Sequence, residues 1–360
     1  MARFEDVFSD ETKQGRKIQT SEYLSAGKYP VIDQGQAQIA GYTNLEDGLF
    51  KDVPAIVFGD HTRIVKYIDS PFFLGADGVK VLKAKVEGTD CKYLFYCLQN
   101  AKIPNTGYNR HFKWLKEVEI PLPPLEEQRR IAALLDKVSD LISKRRAQLD
   151  KLDLLVRARF VEIFGDITAN PKGWKKEKLQ SHIDMITGFP FNSSGYSENG
   201  VKICGGLIIM PDQIKWDECR FWPDSLGYEQ FLLQEDDIVV ALDRPWISEG
   251  FKIGEIRAED LPALLIQRTA RIRGRDITQQ FLLYLLKDKA FERHCTITGS
   301  LVPHISNKDI NSYEVILPPY ELEQQFEEFS HKIKSLKLTA QKSLDKLETL
   351  KKALMQQYFG

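Results

Sequence analysis

The sequence predicts an α+β protein in which two mixed α/β globules are joined by two long helices. The helices are expected to pair as an antiparallel coiled coil, giving an approximate twofold repeat. Three observations carry this. A segment from the middle of the chain recurs without a gap at its end; both copies place apolar residues at spacings of three and four; and the intervals before them are rich in Gly, aromatic and β-branched residues.

The first interval, 1–121, reads as a globule. Ala55-Ile56-Val57-Phe58 is a short apolar strand, and Tyr93-Leu94-Phe95-Tyr96-Cys97-Leu98 is a short apolar helix. The first copy of the repeat, 122–165, opens with Leu122-Pro123-Pro124-x-Glu126, passes through Leu149-Asp150-Lys151-Leu152 and closes with Ile163-Phe164-Gly165. Its two prolines stop the preceding strand and start a helix, acidic Glu126 suits the first turn, and Gly165 suits the C-terminal cap. Ile131, Leu134, Val138, Leu141, Leu152 and Leu155 form its apolar stripe, which Arg145 and Gln148 interrupt and Leu149 shifts.

The second globule, 166–316, repeats the pattern faintly: Asp237-Ile238-Val239-Val240 reads as a strand, and Phe281-Leu282-Leu283-Tyr284-Leu285-Leu286 matches the earlier short helix. The second copy, 317–360, carries Leu317-Pro318-Pro319-x-Glu321, Leu344-Asp345-Lys346-Leu347 and Tyr358-Phe359-Gly360 in the same register. Phe326, Phe329, Ile333, Leu336, Ala340, Ser343, Leu347, Leu350 and Leu354 give it a coiled-coil seam. Because one helix enters the second globule and the other leaves it, side-by-side pairing must be antiparallel, and Gly360 is expected close to Met1. Roughly 40 residues at about 1.5 Å each make a rod of ~60 Å. Matched connectors carrying divergent globules suggest one task performed on two different targets.

Composition narrows the function classes. With 50 Lys+Arg against 51 Asp+Glu the net charge is −1, so any nucleic-acid binding must come from local patches or basic partners. Cys91, Cys97, Cys204, Cys219 and Cys295 show no paired spacing and are expected to be reduced, partly buried thiols. The start Met1-Ala2-Arg3-Phe4 lacks a signal-peptide core and no apolar run approaches membrane-spanning length, so a cytoplasmic protein with no membrane partner is expected. No Gly-rich phosphate loop and no His-Glu-x-x-His helix occurs. His294-Cys295 has no further ligands at useful spacing, and no aspartate constellation suits metal-dependent cleavage. Leu317-Pro318-Pro319-Tyr320 resembles the Asp/Asn-Pro-Pro-Tyr loop of adenine methyltransferases, but Leu317 cannot hold a target amino group. No cofactor and no catalytic residue is expected in this chain.

The order of globule, Pro-Pro helix, globule, Pro-Pro helix resembles the specificity subunits of type I restriction-modification systems, and the likeness spans essentially the whole chain. Leu-Pro-Pro-Leu-Glu-Glu-Gln at 122–128 is similar to the start of that family's central spacer, whereas Glu321-Leu322-Glu323-Gln324 is a looser match. Gly59-Asp60-His61-Thr62-Arg63, Gly75-Ala76-Asp77-Gly78 and Gly107-Tyr108-Asn109-Arg110-His111-Phe112 are similar to one class of target-recognition domain. Arg244-Pro245, Gln267-Arg268-Thr269-Ala270-Arg271 and Gly299-Ser300-Leu301-Val302-Pro303-His304-Ile305-Ser306 are similar to another. The resemblance implies that each globule reads one half of a bipartite site in double-stranded DNA. It implies that the helices set the spacing and dock two methyltransferase subunits, with restriction/translocase subunits completing the assembly. In that family the modification subunits carry S-adenosylmethionine and the restriction subunit drives ATP-dependent translocation and cleavage.

The expected DNA contacts are loop residues able to read base edges or clamp phosphates. In the first globule these are His61, Thr62, Arg63, Lys66, Asn109, Arg110, His111 and Lys113. In the second they are Arg244, Trp246, Arg268, Ser300, His304 and Lys308. Asp60, His61 and Thr62 equally suit a loop anchor, with Arg63 and Lys66 making the contact. Arg271, Arg273 and Arg275 alternate at strand spacing, as a phosphate-facing stripe or a solvated sheet edge, and Lys172, Lys175, Lys176 and Lys178 read as a solvated segment. On the residues alone, a protein-interaction scaffold without DNA binding and an enzyme with an unrecognised site stay open.

Overall fold

Both long helices form where the repeat places them, as Leu125–Phe164 and Tyr320–Phe359, 40 residues each. The computed structural model describes residues 1–75, 78–107, 109–298 and 303–360. Glu126 and Glu127, and Glu321, occupy the first turns, where carboxylates complement the helix dipole. Gly165, at φ +80°, ends the central helix in the left-handed conformation that glycine adopts without strain. Lys172 donates to the Glu162 and Ile163 carbonyls at 3.1 and 2.6 Å, so this lysine satisfies the end of a helix.

The chain forms two compact units, one of residues 1–148 and 340–360, the other of residues 149–339. In the first, Arg130 lies over the Tyr358 ring and Arg146 pairs with Glu348 at 2.6 Å, so the two helices run antiparallel there. Met1 and Phe359 line one cavity of this unit. In the second, Arg159 lies over Phe329 and Lys337 bonds Asp153, again an antiparallel pair. Phe160, Phe164, Phe281 and Phe326 join the helices to that unit's short helix, with ring centroids 4.6 to 5.8 Å apart. Each such buried side chain contributes about 1.5–3 kcal/mol.

The buried stripe keeps Ile131, Val138, Phe326, Ile333 and Ala340 of the expected seam and departs from it at the positions between them. In the central helix Leu135, Ile142 and Val156 are buried while Leu141 and Leu155 are exposed. In the C-terminal helix Ser330 and Leu344 are buried, whereas Leu336 and Leu350 are 53% and 44% exposed. The inner line runs through Ile131, Leu135, Val138, Ile142, Arg145, Leu149, Leu152 and Val156, and through Phe326, Ser330, Ile333, Lys337, Ala340, Leu344, Leu347 and Lys351 at the equivalent positions. Arg145 and Leu149 therefore keep the register they were expected to break. The helices carry apolar residues on two adjacent faces, and packing selects one of them.

Each globule holds a four-stranded and a three-stranded sheet. In the first unit the strands of these two sheets are β1 (Phe8–Asp10), β2 (Tyr29–Ile32), β3 (Gly41–Thr43), β4 (Ala55–Gly59), β5 (Val65–Ile68), β6 (Phe73–Leu74) and β7 (Val79–Ala84). They form an antiparallel sheet β1-β7-β4-β5 and a mixed sheet β3-β2-β6 with β2 and β6 parallel. In the second they are β8 (Ile183–Thr187), β9 (Val201–Cys204), β10 (Arg220–Trp222), β11 (Ile238–Ala241), β12 (Ile253–Glu255), β13 (Ala263–Leu265) and β14 (Thr269–Gly274). Their orders, β8-β14-β11-β12 and β10-β9-β13 with β9 and β13 parallel, reproduce the first topology. The globules thus share one fold despite divergent sequences.

Strands β4 and β11 are apolar throughout because both faces are covered. Ile56 and Phe58 pack on Tyr93, Leu94 and the central-helix residues Ile131 and Leu135, while Val57 faces Ile32 and Leu74 of the other sheet. In the second unit Ile238 and Val240 pack on Phe281 and Phe326, while Val239 faces Cys204 and Leu265. Burial pushes the Cys97 and Cys295 thiols up to about 12, which keeps them neutral. Among the described residues no helix is long and apolar enough to cross a membrane.

Candidate nucleic-acid interface

In both units the central strand runs into a loop led by an aspartate, and a histidine segment crosses that loop. In the first unit Asp60 follows β4; its carbonyl accepts the His111 backbone N–H at 2.7 Å, and its Oδ1 accepts the Phe112 N–H at 2.7 Å. In the second, Asp243 lies just beyond β11 and forms a β-bridge with His304. There the Arg244 N–H donates to the Pro303 carbonyl at 2.7 Å and the Ile305 N–H to the Leu242 carbonyl at 3.0 Å.

Around Asp60 the His61 N–H donates to Gln34 Oε1 at 3.1 Å, and the Thr62 hydroxyl donates to the Gln34 carbonyl at 2.7 Å. Arg63 donates to the Ile103 carbonyl at 3.3 Å. Three arginines of the expected contact set share a backbone feature: Arg63, Arg244 and Arg268 have φ of 63°, 46° and 68°. For residues with a Cβ this left-handed conformation costs about 1–2 kcal/mol, and such strain concentrates where surrounding structure holds a side chain for use.

Thr62, Asn109, Arg110, Lys113, Arg244, Arg268 and Lys308 are exposed, and His61, Arg63, Trp246 and His304 are half-buried. Arg268 reaches Asp243 at 3.8 Å, and Lys113 lies 4.1 Å from the Trp114 ring centre. Lys308 is in the first turn of the helix Asn307–Ser312, which Ser306 and Asp309 cap reciprocally. Trp246 stacks on Phe251 at 4.9 Å, so its ring belongs to the rim of the core. Ser300 lies outside the described residues, as do Ala76, Asp77, Tyr108, Gly299, Leu301 and Val302 of the strings similar to the recognition domains.

Two expected contacts are relocated by the structure. Lys66, 3% exposed, donates to the Asp33 and Ala37 carbonyls at 2.8 and 2.5 Å, and burial holds its pKa below the usual lysine range. His111 is fully buried, with Nδ1 3.0 Å from the Asp60 carbonyl. Both hold loops from inside, because a side chain enclosed by protein cannot reach a groove. The arginine stripe is corrected as well. Strand β14 is interior to its sheet, so Arg271 bonds Asp184 and Arg273 bonds Asp237, as internal ion pairs rather than a phosphate stripe or a solvated edge. Arg275 is exposed beyond the strand, and Lys175 pairs with Glu177.

Sequence reasoning missed the residues that support these loops: Gln34, Thr106, Thr298 and Lys252. Lys252 is a buried lysine bonded to the Gly206 carbonyl in the loop after β9, and desolvation lowers its pKa. Gln34 and Lys252 act on segments distant in sequence, and Thr106 and Thr298 on a histidine five or six residues ahead, a spacing that belongs to no regular helix or strand pattern. Among the described residues no group of three or more His, Cys, Asp or Glu side chains is placed to hold a metal ion.

Comparison with known proteins adds an independent line. Residues 1–151 match the family model of the type I restriction modification DNA specificity domain. The type I restriction enzyme MjaVIII specificity subunit of Methanocaldococcus jannaschii is 30% identical over 313 residues, covering 79% of this chain and 74% of that protein. The EcoAI specificity subunit of Escherichia coli is 31% identical over 145 residues, 39% of this chain and 25% of that protein. The fold is that of a type I restriction-modification S subunit from M. genitalium, with TM-score 0.64, 17% identity and coverage of 98% of this chain and 94% of that one. A chain from a structure of type I restriction-modification complex assembly aligns at TM-score 0.52 with 18% identity, covering 99% of this chain and 95% of its own.

Proposed function

The chain belongs to the specificity subunits of type I restriction enzymes, and from that premise we propose that its two globules each read one half of a split site in double-stranded DNA. It is a DNA-recognition subunit and not itself an enzyme; methylation and cleavage reside in partner subunits. The observation that carries the two-half reading is the shared topology of the globules, which presents the same pair of loops with different residues on each. One scaffold with two loop sets suits two different half-sites. Thr62, Arg63, Asn109, Arg110 and Lys113 serve the first half, and Arg244, Arg268 and Lys308 the second. Guanidinium groups read guanine or clamp phosphate, and asparagine suits adenine. In functional terms the chain divides into recognition domains 1–121 and 166–316 and spacers 122–165 and 317–360.

The spacers set the distance between half-sites and dock two methyltransferase subunits. Leu141 and Leu155 of the central helix and Leu336 and Leu350 of the C-terminal helix are exposed at equivalent positions. A duplicated apolar stripe outside the buried seam suits two copies of one partner helix surface. Restriction/translocase subunits join that core, and the assembly works in the cytoplasm. Sequencing methylated bases in cells that carry the intact system, then exchanging residues 166–316 for those of a relative, tests the reading. One half-site changes and the other stays; a change in both, or no salt-dependent DNA shift by the complex, removes it.

A further inference from the structure

We propose that His111 and His304 are matching positioning residues, each closing a reading loop through a threonine hydroxyl and thereby setting discrimination at its half-site. This rests on the contact assignment above. In the first unit the His111 ring lies between two oxygens: Nδ1 is 3.0 Å from the Asp60 carbonyl and Nε2 is 3.5 Å from the Thr106 hydroxyl. A carbonyl only accepts, so Nδ1 carries the proton, and in the neutral ring Nε2 accepts from the threonine. The ring therefore ties the end of β4 to the start of the loop that carries Asn109 and Arg110.

In the second unit His304 Nε2 is 2.8 Å from the Thr298 hydroxyl, and the two residues exchange backbone hydrogen bonds of 2.8 and 3.0 Å. His304 bridges Asp243, and its neighbour Pro303 accepts the Arg244 N–H. The clasp thus reaches the left-handed backbone of a contact arginine. Two globules of divergent sequence have each placed a histidine across the aspartate loop and a threonine hydroxyl on its ring. His111 caps its short helix without a side-chain bond, so its ring pairing is separate from that helix, while Thr298 and His304 face each other across an isolated antiparallel β-bridge that holds hydroxyl and ring together. His111 is fully buried, so its role is exerted through the loop and not on a base.

The experiment uses the full chain with its methyltransferase partner and measures methylation of duplexes in which each position of either half-site is substituted in turn. Thr298 and Thr106 are exposed, so Thr298→Val and Thr106→Val remove the hydroxyl at little risk to folding. Thr298→Val lowers discrimination at the second globule's half-site roughly three- to tenfold, the worth of one hydrogen bond, and leaves the other half-site and the melting temperature unchanged. Thr106→Val does the mirror image, and Thr298→Ser, which restores the hydroxyl, behaves as the parent. Unchanged discrimination in the valine variants overturns the proposal. So does loss at both half-sites with a lowered melting temperature, which assigns the hydroxyl to folding. Arg110→Ala and Arg244→Ala in the same assay separate the two layers: if they are silent while the valines act, the contact assignment falls and the clasp stands, and the reverse pattern removes the clasp alone.

Discussion

Gln128 and Glu323 occupy the same position in the two helix copies, and each accepts the backbone N–H of the residue that opens its own globule's short helix. Asp90, before Cys91–Gln99, donates to Gln128 Oε1 at 3.0 Å, and Thr278, before Gln279–Lys287, donates to Glu323 Oε2 at 2.8 Å. Both attach a recognition globule to its spacer by satisfying a helix N-terminus. They differ in charge. Glu323 is 2% exposed, and burial raises its pKa to about 7, with Asp276 and Glu327 adding to the shift.

The first prediction follows from that difference. The folded chain holds a proton on Glu323 that the unfolded chain releases from about 4.5, so stability is greatest below that pH and falls as pH rises toward 7. Glu323→Gln keeps the acceptor for Thr278, and its amide can donate to Pro318 as Gln128 does to Pro123 at 2.8 Å. The variant should be more stable at pH 8 by on the order of 1–3 kcal/mol, with little gain near pH 4.5. Urea unfolding at the two pH values checks it; an equal effect at both would locate the stabilisation elsewhere.

The exposed stripe separates folding from docking. Leu336→Asp should change stability by less than about 0.5 kcal/mol while weakening capture of the methyltransferase subunit. Ile333→Asp, three residues earlier and 5% exposed, should cost several kcal/mol, on the order of 3–5, because it buries a charge. Thermal melts and co-purification with the partner read the two effects, and a strong melt shift in Leu336→Asp would place it in the seam after all.

Division of labour between globules gives a third expectation. Arg63→Ala or Arg110→Ala should disturb only one half-site, and Arg244→Ala or Arg268→Ala only the other, by about 1–3 kcal/mol where the side chain reads a base. A phosphate contact instead weakens all sequences alike and reduces the salt slope by about 1. Binding to duplexes with one half-site scrambled, across a salt series, distinguishes these. Lys66→Met should leave the salt slope intact and lower stability by roughly 1–3 kcal/mol, since it removes the buried donor that the Asp33 and Ala37 carbonyls share.

Spacing is a property of the helices if they are the ruler. A four-residue insertion after Arg146, matched by one after Gln341 at the equivalent position, lengthens each helix by about 6 Å at 1.5 Å per residue, comparable to one to two base-pair rises. The gap between half-sites should grow while both half-sites stay the same. Methylome sequencing decides it, because an active enzyme with an unaltered gap would exclude the spacers as the ruler.

The two spacers and their limits were legible because their signals are local. Pro123-Pro124 and Pro318-Pro319 stop the preceding strand just before each helix, Gly165 ends one, and the repeat of Leu-Asp-Lys-Leu identifies the copies. Strands β4 and β11 were legible for the same reason, as short apolar runs. The common topology of the globules was not, because strand pairing joins residues such as Val31 and Phe73, or Ile203 and Leu264, whose partnership leaves no trace in either segment alone.

The sequence by itself determined that the chain is a duplicated globule-and-helix unit without a catalytic motif, since repetition and local helix chemistry need no third dimension. Only the tertiary structure decided which face of each helix is inside. Leu134 and Leu135, or Leu141 and Ile142, are equally apolar, and the choice rests on what the globule and the other helix bring against them. It also decided that Lys66 and His111 turn inward while Arg110 and Arg268 stay in solvent. Residue type states what a side chain can bind, but the carbonyls of Asp33, Ala37 and Asp60, supplied from far along the chain, determine whether it is already bound.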